Sequence, residues 1–190
     1  MRKVGILGGT FNPVHVGHLV IAQRAAEVLE LDKVIFVPCA YPPHKEIPDL
    51  VEGRDRLAMV KIAIEDNKLF SFSDFEVNRP GKSYSIDTVN YLKKSYPENT
   101  KFYFIIGADG IKDLHTWKNV DELKRNVTFI AVNRLGYKRL TSRITVKAID
   151  MVNLEISSSY IRSCIKEKKS VRYLVPDEVI SYIRKKKLYI

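Results

Sequence analysis

The opening of the chain constrains its fold more than any other stretch. Residues 4–7 form a short apolar run that reads as a buried strand. The run breaks at Gly8 and Gly9, passes through Asn12 and Pro13, and restarts as a helix with an apolar stripe at Leu19, Ala22, Ala26 and Leu29. A strand that turns through glycines into a helix aims backbone N–H groups and the positive end of a helix dipole at one spot, where an anion binds. His15 and His18 stand three residues apart at that terminus, and imidazole N–H groups add donors. The stretch reads as a phosphate site.

Two common phosphate loops do not fit it. Thr10 and Phe11 interrupt the spacing of a Gly-x-Gly-x-x-Gly dinucleotide turn. The one stretch that ends like a Walker A loop, Gly81-Lys82-Ser83, has Glu76 where that loop needs glycine. Taken alone, His-x-x-His reads equally well as a metal pair or an ordinary helix surface. As a whole, however, residues 8–18 resemble the nucleotidyltransferase signature Gly-Gly-Thr-Phe-(Asp/Asn)-Pro-x-His-x-Gly-His.

The rest of the chain alternates between strand and helix patterns. Residues 33–38 read as a second buried strand and 53–66 as a helix with Leu57, Val60 and Ile64 inward. Residues 70–77, with Phe70, Phe72, Phe75 and Val77 among polar neighbours, predict a third strand. After a turn at Arg79, Pro80 and Gly81, residues 83–88 open a helix that has Val89 and Leu92 inward and is closed by Pro97. Residues 101–106 form the strongest strand, ending at Gly107, Ala108 and Asp109, the position at which open α/β sheets bind ligands. A short helix with Leu114 then ends at Trp117, and residues 126–132 and 149–152 supply two more strands, the first leading into Asn133 and Arg134. Serines at 157–159 cap a helix in which Arg162, four residues beyond Ser158, shares its face, making a second anion site. Pro176 opens a last helix with Asp177 and Glu178 in its first turn, lysines in its last, and Val179, Ile180 and Ile183 inward. Some of these features have ordinary readings too. Ser83, Ser85 and Asp87 are usual first-turn residues, Pro42 and Pro43 stiffen a surface turn that presents Lys45, and a lone tryptophan is commonly core.

A chain of 190 residues suits one α/β domain over 1–190 whose last part, about 156–190, is helical. No apolar run is long enough to cross a bilayer and no signal-peptide pattern precedes the first strand, so no membrane partner is expected. Cys39 and Cys164 fit no metal or redox spacing, which points to reduced thiols and a cytoplasmic location. The formal net charge of +10 raises nucleic acid as a partner. Much of the excess, however, sits in Lys166, Lys168, Lys169 and residues 184–187, without interleaved aromatics. A solvated basic face suited to polyphosphate substrates is expected instead, and no nucleic acid.

In five stretches, 8–18, 42–45, 83–88, 107–117 and 156–162, the chain resembles the bacterial nicotinate-nucleotide adenylyltransferases over essentially its full length. The outer two stretches are common to nucleotidyltransferases, and the three between them mark the pyridine-nucleotide branch. Departures are Asn12 for the commoner aspartate, Ser85 and Ser159 for threonine, and Cys39 with Ala40 where polar residues are frequent; the last bears on contacts around the mononucleotide. The resemblance implies a Rossmann-like, doubly wound parallel sheet with helices on both faces. It implies transfer of the adenylyl group of ATP to nicotinate mononucleotide. It implies His18, His15 and Lys45 as catalytic residues. Around ATP it implies Gly8, Gly9, Thr10, Phe11, His15, His18, Gly107, Asp109, Ser158, Ser159 and Arg162. Around the mononucleotide it implies Lys45, Tyr84, Ser85, Thr88, Trp117 and Arg134, with the indole stacked on the pyridine ring. No protein metal site follows from it; Mg2+ carried mainly by the ATP phosphates fits, because this ion needs few protein ligands. A homo-oligomer stays open. So do two other functions. One is a related adenylyl- or cytidylyltransferase, such as pantetheine-phosphate adenylyltransferase, against which Trp117 and residues 83–88 speak. The other is a nucleotide-binding protein without turnover, against which His18, Lys45 and Arg162 speak.

Overall fold

Uninterrupted apolar strands have to be covered on both faces, and this chain does so with a six-stranded sheet in the order β3-β2-β1-β4-β5-β6. Every neighbouring pair is parallel. The architecture comes from a computed structural model that describes residues 1–41, 49–107, 111, 113–134, 144–151 and 154–190, without the side chains of Asn133, Arg134 and Met151. The elements are β1 (Lys3–Gly9), α1 (Val16–Leu29), β2 (Lys33–Pro38), α2 (Gly53–Ile64), β3 (Phe70–Phe72), α3 (Ser85–Lys94) and β4 (Lys101–Gly107). After a 3-10 turn (Leu114–Thr116) follow α4 (Val120–Asn126), β5 (Thr128–Arg134), β6 (Lys147–Met151), α5 (Ser158–Lys166) and α6 (Asp177–Lys186). From β1 the chain winds outward through β2 and β3, then returns to the other side of β1 with β4. The order reverses between β1 and β4, and the crevice outside their carboxyl ends is where such sheets take ligands.

Side chains alternate along each strand and so build two cores. Leu7, Val34, Phe36, Ile105, Ile130 and Val132 pack with α1, α2, α5 and α6. Val4, Ile6, Ile35, Val37, Phe102, Phe104 and Phe129 pack with α3, α4 and the 3-10 turn. Helices therefore cover both faces, as the resemblance implied. In α1 the buried positions are Gly17, Ala22, Ala25 and Ala26, while Leu19 and Leu29 are half-buried, so the expected stripe is carried by small residues that let the helix approach the sheet. In α2 and α3 the expected residues Leu57, Val60, Ile64, Val89 and Leu92 are all buried.

Three expectations change. The third strand is only Phe70–Phe72, paired with Val34–Phe36 of β2 on one side. The ladder ends where Ser73 donates to the Phe36 carbonyl at 2.9 Å, and the chain then turns, Asn78 donating to Asp74 at 3.0 Å. Phe75 is used by a helix, not a ladder: its ring stacks on Tyr91 of α3 at 4.2 Å. The strand expected at 126–132 begins two residues later, because α4, which the pattern did not announce, runs to Asn126. The strand expected at 149–152 is Lys147–Met151. Among the described residues no helix is long and apolar enough to cross a membrane.

Candidate active site

The loop from β1 to α1 is fastened from behind, and Asn12 is its hub. This side chain is buried, its Nδ2 donating to the Asp49 carbonyl at 3.1 Å. Its Oδ1 accepts from the Val51 N–H at 3.3 Å and from the Tyr189 hydroxyl at 2.9 Å. Its own carbonyl accepts from Arg162 Nη1 at 2.9 Å, and the next carbonyl, of Pro13, accepts from the Ser158 hydroxyl at 2.9 Å. The peptide between Asn12 and Pro13 is cis. An amide suits position 12 because the Asp49 carbonyl needs a donor there, which an ionised aspartate lacks. Ser157 caps α5 by accepting from the Tyr160 N–H at 3.2 Å. The N-termini of α1 and α5 thus meet at one loop, bringing the first and last motifs together.

At the start of α1 the His15 and His18 rings stack with centroids 3.7 Å apart, and Phe11 packs edge-on against His18 at 4.9 Å. Gly17 makes this possible: a Cβ there would lie 3.0 Å from His15 Nδ1. His18 Nδ1 accepts from the His15 N–H at 3.2 Å, which leaves the proton on Nε2. Burial lowers the His15 pKa to about 4. Burial, and secondarily the neighbouring His15, hold His18 well below the ordinary imidazole range. Both rings are therefore neutral near pH 7 and act as N–H donors rather than cations. Positive charge at this end comes from the helix termini and from Arg162, which is buried, with Nη2 3.4 Å from the Ser159 hydroxyl. Two buried nitrogens here, His15 Nδ1 beside the loop and Arg162 Nε on α5, find no hydrogen-bond partner among the described residues.

Beside this terminus, at the carboxyl ends of β1, β2 and β4, lies a cavity of about 210 Å³. Gly8, Gly9 and Thr10 form one wall, Cys39 and Glu76 another, and Tyr84, Ser85 and Thr88 of the α3 start a third. Phe104, Trp117 and Lys118 complete it. Trp117 is half-buried, held by the ring edges of Phe104 at 5.6 Å and Phe129 at 6.4 Å. It is thus core and cavity wall at once. The α3 N-cap, Tyr84, makes no side-chain cap; the Asp87 N–H turns back to the Tyr84 carbonyl at 3.0 Å, and the N–H groups before it lead the helix beside the cavity. The buried Thr88 hydroxyl donates to the Glu76 carboxylate. Burial raises the Glu76 pKa, and the hydroxyls of Thr88 and Ser83 pull it back down.

A family model described as cytidylyltransferase-like matches residues 6–164. A relative from Lactiplantibacillus plantarum, named "Probable nicotinate-nucleotide adenylyltransferase", is 47% identical over 188 residues, covering 99% of this chain and 88% of its own. The chain belongs to the nicotinate-nucleotide adenylyltransferase branch of the cytidylyltransferase-like family. A second relative of the same name, from Oceanobacillus iheyensis, is 43% identical over 190 residues, covering 100% of this chain and 97% of its own. Among solved structures, the Plasmodium falciparum nicotinic acid mononucleotide adenylyltransferase complexed with NaAD has a TM-score of 0.81 at 23% identity, covering 100% of this chain and 98% of that one. At that identity the likeness speaks for the fold.

In this adenylyltransferase the fold brings together most of the residues that the motifs single out. Gly8, Gly9, Thr10, Phe11, His15 and His18 lie along the β1–α1 turn, with Ser158, Ser159 and Arg162 against it. Tyr84, Ser85, Thr88 and Trp117 share the cavity. Gly107 ends β4. Lys45 and Asp109 lie outside the described residues, and of Arg134 only the backbone, at the end of β5, is described. Glu76, Lys118, Cys39 and Phe104 join the site without having been proposed for it. None belongs to a motif, although Cys39 stood out as a departure and Phe104 lies two residues before the end of the strongest strand pattern.

Proposed function

We propose that the chain transfers the adenylyl group of ATP to nicotinate mononucleotide, giving nicotinate adenine dinucleotide and pyrophosphate in NAD biosynthesis. A phosphate oxygen of the mononucleotide bonds to the α-phosphorus of ATP. The bond from that phosphorus to the oxygen bridging it to the β-phosphate breaks, and the electron pair leaves with pyrophosphate. The attacking phosphate, with a second pKa of about 6, is largely ionised at neutral pH, so no side chain has to take its proton. The protein's part is alignment and stabilisation of charge.

In this reading His18 Nε2–H, assisted by His15 and Lys45, donates to the phosphate oxygens at the reacting centre. Ser158, Ser159 and Arg162 hold the β- and γ-phosphates, and Gly107 and Asp109 serve the rest of ATP. Tyr84, Ser85, Thr88, Lys45 and Arg134 surround the mononucleotide, whose pyridine ring lies on Trp117. Mg2+ fits as a passenger of the ATP phosphates. The donors around the α1 terminus are imidazoles, hydroxyls, amides and the Arg162 guanidinium, and among the described residues no three His, Cys, Asp or Glu converge on a metal position. Bound there, it would neutralise phosphate charge. The chain acts as one domain, 1–190, in the cytoplasm, on ATP and nicotinate mononucleotide, without nucleic acid.

The observation that carries this reading is adjacency. One glycine turn, Gly8 to Thr10, both lines the aromatic cavity and leads into the histidine terminus. The names of the relatives support the acceptor. The test is pyrophosphate release from ATP with nicotinate mononucleotide, nicotinamide mononucleotide and phosphopantetheine in turn. Release with the nicotinate compound is expected. Release with phosphopantetheine alone, or with no acceptor, would overturn the reading.

A further inference from the structure

We propose that Arg56, in the first turns of α2, is a positioning residue for the mononucleotide half of the site; the proposal rests on the adenylyltransferase reading above. Arg56 is 1% exposed, and among the described residues no carboxylate pairs with it. Its guanidinium donates instead to four backbone carbonyls. Nε reaches Val51 at 3.0 Å, Nη1 reaches Thr10 at 2.7 Å and Cys39 at 2.6 Å, and Nη2 reaches Ala40 at 2.9 Å. A buried cation answered only by neutral oxygens is a costly way to fill a core. What it provides is a rigid planar fork that joins the end of β1, the end of β2 and the approach to α2.

Two of those carbonyls belong to Thr10 and Cys39, which line the cavity. The third leads further. The N–H of Ala40 donates to the Ser83 hydroxyl oxygen at 2.9 Å, and the N–H of Ser83 donates to the Tyr41 carbonyl at 3.1 Å. Ser83 and Thr88 both serve Glu76, which lines the same cavity. One guanidinium therefore sets the spacing of the β1 and β2 ends and, through residues 40 and 41, the seat of the α3 start. Of the tethers of the ATP side, Asn12, Ser158 and Arg162 make no hydrogen bond to it, so that side is reached through the carbonyls of Thr10 and Val51 alone. A loss at Arg56 should then fall harder on the mononucleotide than on ATP, which a general loosening of the fold would not do.

Arg56→Lys keeps the charge and much of the stem but cannot bridge separated carbonyls. Trp117 is the only tryptophan, so its fluorescence during titration with nicotinate mononucleotide reads occupancy of the cavity without turnover. The variant should raise the mononucleotide Kd and KM by about tenfold or more while the KM for ATP stays within about threefold. Ser83→Ala should give the same split more weakly. The double variant should be no worse than Arg56→Lys alone, because the two act in one chain. An unchanged mononucleotide Kd, an equal rise in both KM values, or full additivity overturns the proposal. Should Arg56→Lys fail to fold, Ser83→Ala decides by the same split. Wild-type protein that neither binds nor turns over nicotinate mononucleotide sinks the functional reading and this inference with it. Wild-type binding with an indifferent Arg56→Lys sinks the inference alone.

Discussion

The end of the site proposed for polyphosphate is a loop pinned by Asp49, Val51, Ser158, Arg162 and Tyr189, with two imidazoles packed ring on ring. The end proposed for the pyridine ring is a cavity whose walls come from separate segments and whose helix N-cap, Tyr84, makes no side-chain cap. Bond transfer at phosphorus tolerates little displacement, so the first is held from many directions. Recognition of a ring needs a shaped space that is left unfilled, so the second is held at its margins. The contrast yields unequal consequences for substitution.

The largest effect belongs to the pinned end. His18→Ala should lower kcat by on the order of 10²–10³, the usual loss for one preorganised donor, while the KM values move little. Steady-state kinetics check it, and a kcat within a few-fold of wild type would place the main donor elsewhere. A similar free energy is at stake in the burial of His15. Its folded pKa, about 4, lies below the ordinary 6.5, so on acidification the unfolded chain takes up the proton first. Stability is therefore complete above about pH 6.5 and falls as the pH drops toward about 4, by on the order of 3 kcal/mol from this ring. His18 contributes with the same sign. Urea unfolding at several pH values should show a shallower loss for His15→Gln than for wild type; parallel curves would mean that the ring is not held neutral.

At the open end the expected effect is selectivity. The uncapped α3 start offers N–H groups that suit the carboxylate of nicotinate and oppose the NH₂ of nicotinamide, each mismatch costing about 1–3 kcal/mol. On the proposed reading Trp117 would hold either ring alike, and any charge on Glu76 in the same cavity would oppose the acid, so the helix terminus has to outweigh that carboxyl. A preference in kcat/KM for nicotinate mononucleotide of at least about 10² is expected. Comparable values at saturating ATP would refute this account of the cavity. The smallest effect joins the two ends. Arg162→Ala should weaken ATP and pyrophosphate by about tenfold, the worth of a charge-assisted contact, and leave the mononucleotide KM unchanged. It should also lower stability by about 1–3 kcal/mol, because the buried Asn12 carbonyl loses its donor. A raised mononucleotide KM with ATP unaffected would put this helix in the other half of the site.

The same contrast separates what could be read in advance from what could not. The pinned end is written in contiguous motifs, 8–18 and 156–162, and the central strands announced themselves by unbroken apolar runs. The misread strand after residue 72 has a physical cause, since alternating aromatics serve a ladder or a helix face equally, and Phe75 found Tyr91. Helix α4 buries only Leu123, too little for a periodic signal. Arg56 shows the limit most sharply. Arg54 is exposed and Arg56 buried, two residues apart and chemically identical, and only carbonyls as distant in sequence as Thr10 tell them apart. Glu76 likewise acquires its meaning from Thr88, a partner beyond the reach of any local pattern.

In time, rather than in space, the Tyr189 hydroxyl is the last of the loop's fasteners to exist. A ribosome delivers Asn12 early and must add 177 further positions before that hydroxyl can close on it. Until then Asn12 Oδ1, destined for the interior, has only the Val51 amide to satisfy it. The β1–α1 loop of a chain made only that far is accordingly a looser object, and the order of synthesis itself delays its full set of fasteners until Tyr189 has packed.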